Sequence, residues 1–151
     1  MKLNIDKPEL VRITSRQQLA ANSPENLEVS ATNSKGEFIR PSLTAKSLGI
    51  TFQNNLNWIY HFERGGEAVL SKCKKKLGAL KFVAKNASTN IKKKLANACI
   101  MSGLTYGIQV WGPSIKPSIM AKVQSAQYQS ALWVTGLANG SIAEYVLSSI
   151  G

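Results

Sequence analysis

AVLSKCKKKLGALKFVAK, Ala68 to Lys85, places an apolar or small residue at every third or fourth position: Val69, Cys73, Leu77, Leu80 and Ala84. Lys72, Lys75, Lys76 and Lys81 fall largely between them. Spacings of three and four bring side chains onto one face of an α-helix, so the stretch predicts a long, basic, amphipathic helix. Gly65 and Gly66 interrupt anything earlier and put its start near Glu67, or a kink there.

Downstream the same period continues. Ser88 or Thr89 can cap a second helix with Ile91, Leu95, Ala98, Cys99 and Ser102 as its inner face and Lys92, Lys93 and Lys94 crowding its first turn. Cations there oppose the helix dipole, which suggests an external anion. After Pro113 and Pro117 a third helix is expected from Ser118 to Val134, with Ile119, Val123, Ala126, Ser130 and Val134 on one stripe. A short fourth follows Gly140, from Ser141 to Ser149.

Upstream the period is lost. Pro8, Pro24, Gly36 and Pro41 punctuate a region that reads as short strands and turns. The candidate strands are Leu10 to Thr14, Leu27 to Ala31 before a turn at Asn33 to Gly36, Glu37 to Arg40, and Ser47 to Phe52. The expected fold is therefore α+β, with short antiparallel strands in the N-terminal third followed by a bundle of three to four helices. Residues 1–56 and 57–151 form the two expected parts.

The 151 residues are enough to bury a core, and 44% hydrophobic content belongs to a globular chain. A formal charge of +11 favours a polyanionic partner, nucleic acid before an acidic membrane. Nine lysines lie from Lys72 to Lys94, and no acidic residue occurs from Ala68 through Ala143. A surface that is merely solvated mixes both signs, so this run points to phosphate contacts, which give position and salt dependence rather than sequence reading. Trp58, Tyr60 and Phe62 could stack on bases, although an aromatic cluster at a strand-to-helix junction more often belongs to a core. No apolar leader or membrane-length apolar run is visible, so an intracellular protein of nucleus or cytoplasm, without a membrane partner, is expected.

Catalytic chemistry is sparse. Asp6 is the only aspartate, and the seven glutamates are too scattered to hold two cations about 3.5 to 4 Å apart. Cys73 and Cys99 lack metal-ligand spacing and read as free thiols, and His61 has no nucleophile near it in sequence. Neither a GxGxxG nor a Walker loop occurs. No catalytic residue, metal site or cofactor is expected in this chain.

Four blocks carry a family resemblance: LNIDKP (Leu3 to Pro8), KSLGITFQNNLNWIYHF (Lys46 to Phe62), LTYGIQVWG (Leu104 to Gly112) and QYQSALWVTG (Gln127 to Gly136). In this order and at about this spacing they resemble the end of non-LTR, jockey-like retrotransposon reverse transcriptases. The resemblance covers nearly the whole chain. It implies that Lys7 is the lysine near the incoming nucleotide, with Pro8 in place of the usual threonine. It implies that Leu48, Gly49, Ile50, Leu56, Trp58 and His61 belong to the primer grip and the entry to the thumb, with Gln53 where an acidic residue is common. The helices that follow would be the thumb, and Leu132 replaces an arginine usual in the last block.

The family's catalytic aspartates and its fingers and palm would precede Met1, so the resemblance implies a fragment of an RNA-directed DNA polymerase. Its parent would need Mg2+. RNA, DNA or an RNA–DNA hybrid would be the partner, held by Lys7, Leu48, Gly49, Lys72, Lys74, Lys75, Lys76, Lys92, Lys93 and Lys94. A stand-alone domesticated nucleic-acid-binding module and a decayed reading frame without function remain the rivals. The chain alone is expected to give no primer extension with any divalent metal; incorporation of labelled nucleotide by a clean preparation would contradict this.

Overall fold

The structure, a computed structural model, describes residues 10–11, 13, 36, 38, 41–64 and 68–148. The expected strand at Leu27 to Ala31 and Lys7 lie outside the described residues, and of the expected turn at Asn33 to Gly36 only Gly36 is described, with a positive φ of +77°. The fold is α+β, a short antiparallel sheet followed by helices. The chain divides into two compact units, Met1–Tyr60 and His61–Gly151.

In the first unit, β1 (Leu10–Val11) pairs with β2 (Pro41–Ser42) in parallel, where only antiparallel strands were expected. β3 (Thr44–Ser47) and β4 (Ile50–Gln53) form an antiparallel hairpin, with Ser47 opposite Ile50 and Thr44 opposite Gln53. The single strand expected from Ser47 to Phe52 is thus broken by a two-residue turn. Leu48 and Gly49 carry φ of +48° and +81°, the left-handed pair that matches the twist of a tight hairpin. Gly49 adopts this without steric cost, whereas Leu48 costs roughly 1–2 kcal/mol there. Ile50 and Trp58 are buried, and the Trp58 ring meets Phe52 edge-on at 5.8 Å.

The helices are α1 (Ile59–Phe62), which spans the division between units, and α2 (Val69–Val83), which realises the basic amphipathic helix. Cys73, Leu77 and Ala84 of its predicted stripe are buried. α3 (Thr89–Ala96) runs through a π-helical turn, Asn97–Met101, into α4 (Ser102–Thr105) without leaving helical dihedrals. The Ser102 amide donates to the Asn97 carbonyl five residues back, which marks the wider turn. Next come α5 (Ile108–Trp111), a 3-10 turn at Gly112–Ser114, α6 (Pro117–Thr135) and α7 (Ala143–Ser148). Pro117 opens α6, where a missing amide costs nothing, and Gly136 at φ +72° closes it.

The π turn changes the buried face. Ile91, Leu95, Ala98, Cys99 and Ser102 were the expected inner stripe, but Ala96, Ile100 and Leu104 are the buried residues, while Ile91 is 52% exposed and Ala98 and Ser102 face solvent. Steps of four overrun the 3.6-residue helical period, and the wide turn, with more residues per turn, takes up the excess. α2 packs against this turn, α4 and α6, while α3 packs against α6. α6 follows its predicted stripe through Ile119, Val123, Ser130 and Val134, and adds Ala131 and Leu132. Leu132 is part of this core, at 5% exposure. Phe62 and Trp111 meet edge-to-face at 5.0 Å, and the Trp111 indole N–H donates to the Tyr106 carbonyl at 2.8 Å.

Ile100→Ala should therefore lower unfolding free energy by roughly 2–5 kcal/mol, and Ile91→Ala should change it by no more than about 0.5 kcal/mol. Urea denaturation checks this, and the reverse order would restore the stripe read from spacing.

Candidate nucleic-acid interface

A helix with one buried stripe presents everything else on α2 to solvent. Lys72, Lys74, Lys75, Lys76 and Lys81 are all exposed. At 100° per residue, Lys74 and Lys81 fall on one edge of the outward face and Lys72 and Lys76 on the other. Lys75, Gly78, Ala79 and Phe82 lie between these edges, opposite Cys73 and Leu77. Three consecutive lysines span about 200° of a helix, so Lys74, Lys75 and Lys76 cannot all meet one ligand surface head-on.

The lysines differ in what they do within the fold. Lys76 Nζ donates to the Cys99 carbonyl at 3.1 Å, and Cys73 Sγ lies 4.0 Å from the Ile100 carbonyl. Two carbonyls of the π turn thus receive donors from α2. Burial pushes the Cys73 thiol pKa up, against a smaller opposite effect of Lys76, so Cys73 stays a protonated, inert donor. Lys74 and Lys75 form no such bond among the described residues. Lys74 also lines a cleft of about 380 Å³ between α2 and α6, together with Leu70, Leu77 and Ile100. Across it Lys122 pairs with Glu63 at 2.6 Å.

On α3, Lys92, Lys93 and Lys94 occupy the fourth to sixth helical positions, not the first turn, and Lys93 and Lys94 lie in its last turn. The dipole's unfavourable effect fades beyond the first turn, so the strain expected of these cations is largely absent. Lys94 is exposed, and Lys92 and Lys93 are half-buried.

Two of the three clustered aromatics are core, while Tyr60 is half-buried. Trp58 and Phe62 are buried, at 3% and 0% exposure, and neither can stack on a base. Among the described residues the aromatics left exposed are Phe82 at 86%, Phe38 at 76% and Tyr106 at 54%, and of these only Phe82 lies on the lysine-rich helix. Its position seven residues after Lys75, off the Cys73–Leu77 stripe, was the signal for this in the sequence. Leu48 and Gly49 form the tip of the β3–β4 hairpin, and Leu48 is exposed. Gln53, the last residue of β4, is half-buried and its Oε1 accepts no hydrogen bond among the described residues.

His61 is buried, with its ring edge-on to Phe62 at 4.9 Å. Burial, and then the positive charge of Lys72, hold its pKa below the ordinary imidazole value. Neutral imidazole is therefore the folded form near neutrality. Among the described residues no group of three or more His, Cys, Asp or Glu side chains could hold a metal ion, and no helix is long and apolar enough to cross a membrane.

No protein-family model, curated protein or solved structure matches this chain.

The depressed His61 pKa has a definite sign. The unfolded chain binds this proton more readily than the folded one, so stability is intact above about pH 6.5 and is lost as pH falls from there toward the folded pKa. The thermal midpoint should drop between pH 7 and pH 5, and His61→Asn should flatten that part of the profile. A His61 NMR titration centred at or above the ordinary value would contradict it.

Proposed function

We propose that this chain holds nucleic acid by its sugar-phosphate backbone through the outward face of α2, as the terminal part of a retroelement reverse transcriptase. The observation that carries the reading is the exposure of Lys72, Lys74, Lys75 and Lys81 on one helix of a region that has no carboxylate from Ala68 through Ala143. Neutralisation by phosphates relieves the repulsion that such a surface imposes on itself.

The family reading rests on the four sequence blocks, and the acid-free helices suit a thumb that grips a template–primer duplex. In that reading the carboxylates and Mg2+ for nucleotide transfer belong to a preceding palm, and this chain contributes grip rather than chemistry. Phosphate contact supplies affinity and register, so all sequences are bound alike. RNA, DNA and hybrid are all admissible partners. Lys74 and Lys75 are the contacts with the least internal engagement, whereas Lys76 has a structural role through Cys99.

The test is a salt series by fluorescence anisotropy on labelled duplex DNA and hybrid. Each phosphate contact adds about 0.9 to the log-log salt slope on B-form DNA, so Lys74→Gln with Lys75→Gln should flatten it by up to about 2 and weaken every sequence equally. Circular dichroism should be unchanged, because glutamine keeps nearly the helix propensity of lysine. An unchanged slope with intact helicity ends the backbone-contact reading of α2.

A further inference from the structure

An aromatic ring left in water amid lysines needs a reason, because burial is the usual fate of phenylalanine. Phe82 is 86% exposed and its neighbour Val83 81%, at the C-terminal end of α2. Helical side chains lean toward the N-terminus and cover the preceding turn. That turn carries Gly78 and Ala79, which offer the ring little to pack on. A Cβ built at Gly78 would meet nothing within 4 Å, so the Phe82 ring stands clear of it. No aromatic contact or hydrogen-bond network engages Phe82 among the described residues.

The ring is set in a frame of cations. Lys75 precedes it by seven residues on the same stripe, about 10 Å along the axis at 1.5 Å per residue. Lys81 adjoins it, and exposed Lys85 follows the helix end.

We infer that Phe82 is a base-stacking residue, taking an unpaired base of a nucleic acid whose phosphates lie along Lys75, Lys81 and Lys85. The inference rests on the backbone-binding reading above and adds to it a preference for unpaired bases. Charge complementarity selects this occupant: a π face between fixed cations matches a polymer that alternates flat rings with phosphates. A lipid surface is disfavoured, since the large apolar side chains of the outward face are only Phe82 and Val83, and an interfacial helix needs a broad apolar face. Stacking is indifferent to base identity, so the preference is for single-stranded over paired segments and not for a sequence.

The experiment compares a single-stranded oligonucleotide with an abasic strand of equal length and phosphate count, bound to the full chain. Wild type should bind the base-bearing strand between about 5- and 150-fold tighter, the effect of one stacked base. Phe82→Leu should abolish most of that difference while leaving the salt slope and circular dichroism unchanged, and Phe82→Trp should retain it. Because Phe82 is solvent-exposed, neither change threatens the fold. Salt-steep binding that ignores the bases, or a base preference that survives Phe82→Leu, overturns the stacking role alone. Failure to bind either strand overturns the backbone reading along with it. Loss of binding to phosphatidylserine vesicles in Phe82→Leu, with oligonucleotide binding intact, assigns the ring to a lipid surface and also overturns it.

Discussion

The wide helical turn at Asn97–Met101 is the constraint on which the helical unit depends. It advances the chain by one extra residue, and so brings Ala96, Ile100 and Leu104 to the interior in steps of four. α2 supplies donors to two of its carbonyls, from Lys76 to Cys99 and from Cys73 to Ile100. The same contact fixes how α2 is rotated about its axis: with Cys73 turned inward, Lys75 and Phe82 must face out. Core register and outward surface are thus two results of one packing choice.

Charge sets the second constraint. A region without carboxylates from Ala68 to Ala143 has little with which to offset its own lysines, and the described ion pair, Lys122 with Glu63, borrows its acid from outside that run. Cohesion therefore comes largely from aliphatic packing, joined by the edge-to-face ring contacts of Phe62 with His61 and with Trp111, whose indole N–H donates to the Tyr106 carbonyl. Exposed ion pairs contribute little in any case, so a scarcity of nearby acids costs the fold little. What remains is a surface with a large excess of positive charge, a state that a polyanion stabilises. The proposed grip on nucleic acid and the marginal electrostatics of the isolated unit have the same physical origin.

Unequal engagement of the lysines follows from position. Lys76 serves the π turn, Lys72 lowers the pKa of the buried His61, and Lys74 and Lys75 face solvent. A lysine count treats these as equivalent, yet only side chains without an internal task can move to a ligand at no cost to the fold. In the other unit, the left-handed Leu48–Gly49 turn holds an exposed leucine at a hairpin tip against a conformational penalty.

Sequence by itself determined the α+β class, the helix at Val69–Val83, the stripe of Pro117–Thr135 and the lysine-rich, acid-free run, because each is a matter of period or composition that a linear chain displays. The bounds of α6 were legible to within a residue, Ser118 to Val134 against the observed Pro117–Thr135, since the prolines before it punctuate the chain locally. Tertiary structure alone decided the rest. A π turn has no spacing signature of its own, so the inner face between Ile91 and Leu104 was read one register off. The break at Leu48–Gly49 depended on strand pairing, because a leucine does not announce a left-handed turn. The choice between core and stacking for the aromatics was closed only in three dimensions: Trp58 and Phe62 found neighbours to bury against, as the junction favoured, while the helical position of Phe82 placed it off the inner stripe and the packing left it uncovered. Burial is a property of what folds back onto a residue, and the chain's own order does not contain it.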